Sequence, residues 1–315
     1  MSAGVRTLIS VTELQDLLAG PSGVLILDCR YDLARPSAGE QAFALAHVRG
    51  ARYADLGQDL SGSAGPTGGG RHPLPSIQQW RTRLARWSVG PATRVVAYDD
   101  TGGCFAARAW WLFRYFGHSE VAVLDGGWQA WLAAGADVDG GSVAPGIPAS
   151  APPRSPPAVN PDRSRDELAA TAVASPPPTL DEASADRSYP SSVGIAAVPV
   201  VTIDGLVGRL LVDARDPARY AGEMEPIDPR AGHIPGARNR FWKSNLDANG
   251  HFLPIDELRS HWLGLLGGVP VGQVVCYCGS GVTACHNILA LAHCGIGEAH
   301  LYPGSWSEYS SDPAR

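Results

Sequence analysis

The sequence predicts an α/β protein of two tandem domains, each an open, mostly parallel sheet flanked by helices. Three observations lead there. Short apolar runs such as Val24-Leu25-Ile26-Leu27 and Val121-Ala122-Val123-Leu124 alternate with helix-like periodicity, as buried parallel strands and their crossover helices do. The chain has 315 residues, long for one domain and sufficient for two cores. The halves also echo each other: Asp213 in Leu211-Val212-Asp213-Ala214-Arg215 follows Asp28 in Ile26-Leu27-Asp28-Cys29-Arg30 by 185 positions, and His233 follows His47 by 186. A near-constant offset is what duplication of one domain leaves.

Taken in order, Ser10 or Thr12 caps a short helix running through Leu17. Strand Val24–Asp28 follows, then His47-Val48-Arg49-Gly50-Ala51, then a glycine-rich loop over 61–70 that ends in Arg71-His72-Pro73-Leu74-Pro75. A helix is expected over 78–87, a strand over 94–99, a helix over 103–116, and a strand over 121–124 that runs into Asp125-Gly126-Gly127-Trp128. From about 140 to 190 the chain is rich in Pro, Ala and Ser, a composition that buries too little surface to offset ordering, so it reads as a linker. A short helix over 162–167 is the one element expected in it. The division is therefore 1–138, a linker over 139–195, and 196–315.

In the second half, Val274-Val275-Cys276-Tyr277 reads as a strand that stops at Cys278, and a helix-like pattern carries on from Val282. Cys278 then sits at a strand end, with the amides of Gly279, Ser280, Gly281, Val282 and Thr283 curling around it and a helix N-terminus behind them. Such a loop favours an anion, so a thiolate with a depressed pKa is expected there, and the amides can equally hold a second sulfur or an oxyanion. The equivalent position of the first half, 179 residues earlier, is Asp99. A carboxylate is no sulfur nucleophile, so the first half is expected to be catalytically silent.

The net charge of −6 argues against nucleic acid or an anionic membrane as a partner. No apolar run reaches membrane-spanning length and the first residues lack a secretory pattern, so a cytoplasmic protein is expected. The six cysteines show no disulfide or zinc spacing; free thiols are expected, with Cys278 the reactive one and Cys276 and Cys285 inert.

Cys278-Gly279-Ser280-Gly281-Val282-Thr283-Ala284 resembles the active-site loop of the two-domain rhodanese family, within it the 3-mercaptopyruvate sulfurtransferase branch. Gly232-His233-Ile234-Pro235-Gly236-Ala237 and Tyr302-Pro303-Gly304-Ser305-Trp306-Ser307-Glu308-Tyr309 match in the same order, and the resemblance covers nearly the whole chain apart from the proline-rich middle. It implies two rhodanese-like domains, of which the first is inactive. The implied reaction takes sulfur from a small anionic donor onto Cys278 as a persulfide and passes it to cyanide, a dithiol or a thioredoxin-like protein. The implied donor is 3-mercaptopyruvate, which leaves as pyruvate, with thiosulfate as the alternative; no metal or organic cofactor is implied. Neutral Gly279 and Ser280 favour the mercapto acid, because thiosulfate-preferring relatives place basic side chains after the cysteine.

Among donor-binding residues, Arg219 matches the family's position. The branch has a second arginine nine residues later, where this chain has Asp228; Arg230 is the expected substitute. Ser280 is linked in that branch to a histidine and an aspartate of the other domain. His72 matches the histidine, whereas the aspartate position is Gly57, which leaves Asp55 or Asp59 to stand in. Arg215, His47, His233, Trp128 and Trp306 read as architecture, since most of them recur at equivalent places in both halves.

Two rival readings are weaker. A phosphatase on this fold needs an arginine six positions after the cysteine, and position 284 is Ala284. A non-catalytic sulfur carrier or sensing module would keep Cys278 and show no turnover.

Overall fold

The computed structural model describes residues 7–20, 23–63, 69–141, 198–313 and 315. The expected linker beyond Gly141 and the expected helix over 162–167 lie outside the described residues.

The first half runs β1 (Leu8–Ile9), α1 (Val11–Ala19), β2 (Val24–Asp28), α2 (Ala38–Leu45), β3 (His47–Val48), β4 (Arg52–Tyr53), α3 (Ile77–Arg86), β5 (Arg94–Tyr98), α4 (Ala106–Tyr115), β6 (Val121–Leu124), α5 (Gly127–Ala133) and β7 (Val138–Asp139). Of the two cap candidates, Ser10 starts α1: it accepts from the Glu13 amide while Glu13 reaches back to the Ser10 amide, a capping box. The parallel sheet has the order β1-β6-β5-β2-β4, and β7 pairs antiparallel with β3. β7 carries this half through Asp139, one residue past the expected boundary.

The second half runs β8 (Leu210–Asp213), α6 (Pro217–Ala221), β9 (Arg238–Asn239), α7 (Ile255–Leu266), β10 (Val274–Tyr277), α8 (Ala284–His293), β11 (His300–Leu301) and α9 (Ser305–Tyr309), with a parallel sheet in the order β11-β10-β8-β9. α7 goes beyond the elements read from sequence. Its buried Leu258, Trp262 and Leu266 recur every four residues, a helical stripe that is present in the sequence.

The duplication extends to side chains. Tyr98 pairs with Asp28 across β5 and β2, and Tyr277 with Asp213 across β10 and β8. Arg30 grips Asp28 at 2.6 Å and lies 4.7 Å over Trp128; Arg215 grips Asp213 at 2.7 Å and lies 4.8 Å over Trp306. His47 stacks on Phe43 and bonds its carbonyl, as His233 does with Tyr220. These pairs brace the same turn in both halves, one of which has Asp99 in place of the loop cysteine, so their role is architectural.

The halves share one core. Leu27, Ala97, Trp110 and Trp111 from the first half and Val212, Cys276, Ile288 and Leu291 from the second belong to a single buried cluster, in which α4 packs on α8. Separate clusters cover the outer faces of the two sheets. Both faces of each sheet are thus buried, and several of the polar groups on the side that faces the partner half are held by specific bonds.

His286 on α8 is one such group. It is wholly buried, its Nε2 lies 3.0 Å from the carbonyl of Gly102, and its Nδ1 lies 3.3 Å from the Asn245 amide. A neutral ring donates at Nε2 and accepts at Nδ1, which uses both nitrogens; a charged ring would turn a second donor onto Asn245. Burial lowers its pKa to about 4 from 6.5, against the opposing pull of the Gly102 carbonyl. The unfolded chain therefore binds a proton that the folded one refuses, and stability present above about pH 6.5 is lost as pH falls towards 4, by on the order of 3 kcal/mol for this group. Melting temperature should fall between pH 7 and 5, and His286→Gln, which keeps both bonds without a titratable ring, should flatten that fall. An equal slope in the variant would assign the acid sensitivity elsewhere.

Candidate active site

β10 ends at Tyr277 and α8 begins at Ala284, so residues 278–283 form the loop expected between strand and helix. Cys278 stands at its start with 2% of its surface exposed. The Gly281 amide donates to the Cys278 sulfur at 3.2 Å. Gly281 has φ of 77°, and a Cβ there would meet the Pro303 carbonyl at 2.6 Å, so only glycine brings this amide to the sulfur.

A second turn holds the loop from outside. The Cys278 amide donates to Ser305 Oγ at 3.1 Å, the Trp306 amide to the Cys278 carbonyl at 2.9 Å, and the Ser307 amide to the Gly279 carbonyl at 2.9 Å. Ser305 adopts φ of 54°, a left-handed conformation rare outside glycine, and its hydroxyl also donates to the Tyr302 carbonyl. The equivalent residue in the first half is Gly127, with the same φ of 54°.

The first half closes the site. Its glycine-rich segment lies on the turn at 304–308: the Gly69 amide donates to Glu308, the Arg71 amide donates to Ser307 Oγ at 3.1 Å, and a Cβ on Gly70 would meet the Gly304 carbonyl at 2.5 Å. This contact delivers Arg71 and His72. His72 Nδ1 lies 2.7 Å from Ser280 Oγ. Burial, then the charges of Arg108 and Arg71, lower its pKa to about 4, so its ring is neutral at pH 7. Asp55 and Asp59 do not extend this pair: Asp55 accepts from the Gln58 amide, and Asp59 binds Arg86 and the Asp55 amide. Among the described residues no carboxylate is bonded to His72.

The arginines are distributed differently from the expectation. Arg219 is at the loop, bonded to Glu225 at 2.6 Å and to Asp228 at 3.1 Å. Arg230 is corrected: its guanidinium donates to the carbonyls of Tyr309, Ser310, Asp312 and Arg315, clasping the C-terminal segment. The second guanidinium at the loop is Arg71, which pairs with Asp228 from the opposite half. A Cβ on Gly279 would meet Arg71 Nη2 at 2.9 Å and Arg219 Nη1 at 3.6 Å. The loop is therefore less neutral than Gly279 and Ser280 suggest, because Arg71 occupies the space that a side chain at 279 would take. Burial pulls the Arg71 pKa down, and the Cys278 sulfur is the first group acting against that shift. Arg71 went unread because its signal is faint: it precedes His72 in a loop segment of the other half.

The first half shows the loop already filled. The Asp99 carboxylate accepts from the amides of Thr101, Gly103, Phe105 and Ala106, each at 2.8 Å. The carboxyl group of Asp99 thus occupies the loop's own amides.

The Rhodanese-like domain family matches residues 10–134 and 202–312. A probable 3-mercaptopyruvate sulfurtransferase of Pseudomonas aeruginosa is 39% identical over 311 residues, 98% of this chain and 96% of that protein. The thiosulfate sulfurtransferase of Gallus gallus is 29% identical over 310 residues, 96% of this chain and 93% of that one. The structure of 3-mercaptopyruvate sulfurtransferase from Leishmania major superposes with a TM-score of 0.74 at 29% identity, covering 98% of this chain and 75% of that one. The repeated sheets, the loop at Cys278 and these matches lead to one assignment: the chain belongs to the rhodanese family, with a Rhodanese-like domain in each half.

Proposed function

We propose that the protein is a sulfurtransferase that moves a sulfane sulfur from 3-mercaptopyruvate through a persulfide on Cys278 to a thiophilic acceptor. The observation that carries this reading is the Cys278 sulfur accepting from the Gly281 amide of its loop, with the guanidinia of Arg71 and Arg219 packed against the next residue. The named activities of the Pseudomonas and Leishmania relatives support it.

In the first step the Cys278 thiolate attacks the donor's sulfur. A sulfur–sulfur bond forms and the donor's carbon–sulfur bond breaks, leaving its electron pair on carbon as the enolate of pyruvate. The thiol proton of the donor ends on that carbon and pyruvate departs. In the second step an acceptor such as cyanide attacks the outer sulfur, leaves as thiocyanate and returns the thiolate. Loop amides stabilise the persulfide as they would an oxyanion. Arg71 and Arg219 hold the donor carboxylate, and Ser280, steadied by His72, hands a hydrogen bond to the donor carbonyl as it becomes an enolate.

The choice of donor follows from charge. Asp228 and Glu225 already offset the two guanidinia, which suits a monoanionic mercapto acid better than dianionic thiosulfate. The test is steady-state turnover with cyanide or a dithiol: pyruvate release from 3-mercaptopyruvate should have a higher kcat/KM than thiocyanate formation from thiosulfate. The reverse order would reassign the donor, and persulfide formation without turnover on either would make the protein a sulfur carrier.

A further inference from the structure

α4 and α8 are equivalent helices of the two halves, and each carries polar side chains into the shared core: Arg108 on α4, and His286 with its neighbour Asn287 on α8, all wholly buried. Arg108 and His286 each reach across the interface to the other half's loop. His286 Nε2 lies 3.0 Å from the Gly102 carbonyl, and Arg108 Nη1 donates to the Gly281 carbonyl at 3.0 Å. Gly102 and Gly281 are themselves equivalent, with φ of 65° and 77°.

The first half's loop shows what such a contact does. In a trans peptide the C=O and the following N–H point in opposite directions, so whatever holds Gly102 O outward turns the Gly103 N–H inward. That amide donates to the Asp99 carboxylate at 2.8 Å. In the other loop the carbonyl held outward is that of Gly281, and the amide following it is Val282.

We propose that Arg108 is a positioning residue of the sulfur-transfer loop: from the first half, it holds the Gly281 carbonyl so that the Val282 N–H faces the sulfur carried by Cys278. The same guanidinium donates to the carbonyls of His72 at 3.1 Å, Pro73 at 3.4 Å and Leu60 at 3.2 Å. One rigid fork thus ties the loop that carries Ser280 to the segment that carries His72, and sets the 2.7 Å contact between them. Arg108's hydrogen bonds run to carbonyl oxygens and to the Cys285 thiol, and among the described residues no carboxylate pairs with it. A buried cation in that state gains an opposite charge when an anion forms at the loop. The two halves are complementary in this respect. In one, a neutral histidine holds the loop around the Asp99 carboxyl group, and in the other the Arg108 cation holds the loop around an anion that comes and goes.

The inference rests on the sulfurtransferase reading, and full-length Arg108→Met and Arg108→Lys test it with 3-mercaptopyruvate and cyanide. Loss of one oriented amide in such a loop lowers kcat by about 10²-fold. Arg108→Met should show that loss with KM within about twofold of wild type, and Arg108→Lys, which keeps one donor and the charge, should recover part of it. An unchanged kcat in a folded Arg108→Met overturns the proposal. A second readout needs no variant: in the 15N-labelled wild-type chain, the Val282 amide proton should move downfield when the donor converts Cys278 to the persulfide. An unmoved Val282 resonance overturns the proposal even if neither variant folds. If wild type takes up no sulfur at all, the sulfurtransferase reading fails instead.

Discussion

Cys278→Ser should take up no sulfur from 3-mercaptopyruvate, whereas the wild-type chain gains the mass of one sulfur atom. The serine hydroxyl stays protonated at neutral pH and its oxygen has little affinity for sulfur, so pyruvate release should fall by at least about 10⁴-fold. The fold should be indifferent, because serine is smaller than cysteine by little and its oxygen can still accept from the Gly281 amide. The experiment is clean because the remaining cysteines do not compete. Cys29, Cys104, Cys276, Cys285 and Cys294 are buried, and burial raises each of their thiol pKa values, that of Cys285 to about 12. They keep their protons at the pH of the assay. Intact-mass spectra before and after donor, then after cyanide, give the result directly. A sulfur gained by Cys278→Ser and removed by cyanide would place the chemistry on another residue.

Arg71→Ala should raise KM for 3-mercaptopyruvate by about 10- to 100-fold, the loss of one charge-assisted bond to a carboxylate. The effect on kcat should be smaller, and alkylation of Cys278 by neutral iodoacetamide should slow by less than KM rises, since the sulfur loses one neighbouring positive charge while the loop amides are untouched. The partner makes a sharper test. Arg71 and Asp228 come from different halves and meet each other at the loop, so the guanidinium can be moved from one half to the other. Arg71→Asp alone should be worse than Arg71→Ala, because it sets two carboxylates against each other. Adding Asp228→Arg restores the pair in reverse and should recover donor binding, a coupling above about 1 kcal/mol in the double-mutant cycle. A KM unchanged in Arg71→Ala would leave donor binding to Arg219 alone.

These two residues differ in how far they could be read from the chain. Cys278 was legible because its environment is local: the strand before it, the glycines after it and the helix behind them all lie within a dozen residues, and local hydrogen bonds dictate their geometry. The duplication was legible for the same reason, since each copy repeats its own local pattern. Arg230 was read as a donor-binding group from its closeness in sequence to Asp228. Two residues along a loop suffice to turn a side chain away, and Arg230 faces the C-terminal carbonyls instead. Arg71, 157 positions from Asp228, is the side chain that meets it. No count along the chain relates those two, because the contact is made where the segment at 69–72 lies across the turn at 304–308.

From the amino-acid order alone came the α/β architecture, its doubling and the place of Cys278 between a strand and a helix. Each of these depends on periodicity or on neighbours a few bonds away. The tertiary structure alone decided that Asp99 occupies its own ring of amides, that Arg71 fills the space above Gly279, and that Arg108 reaches the other half's loop. Those outcomes depend on how two similar domains bury their apolar faces against each other. That packing brings side chains from distant parts of the chain within hydrogen-bond reach, at separations no local pattern encodes.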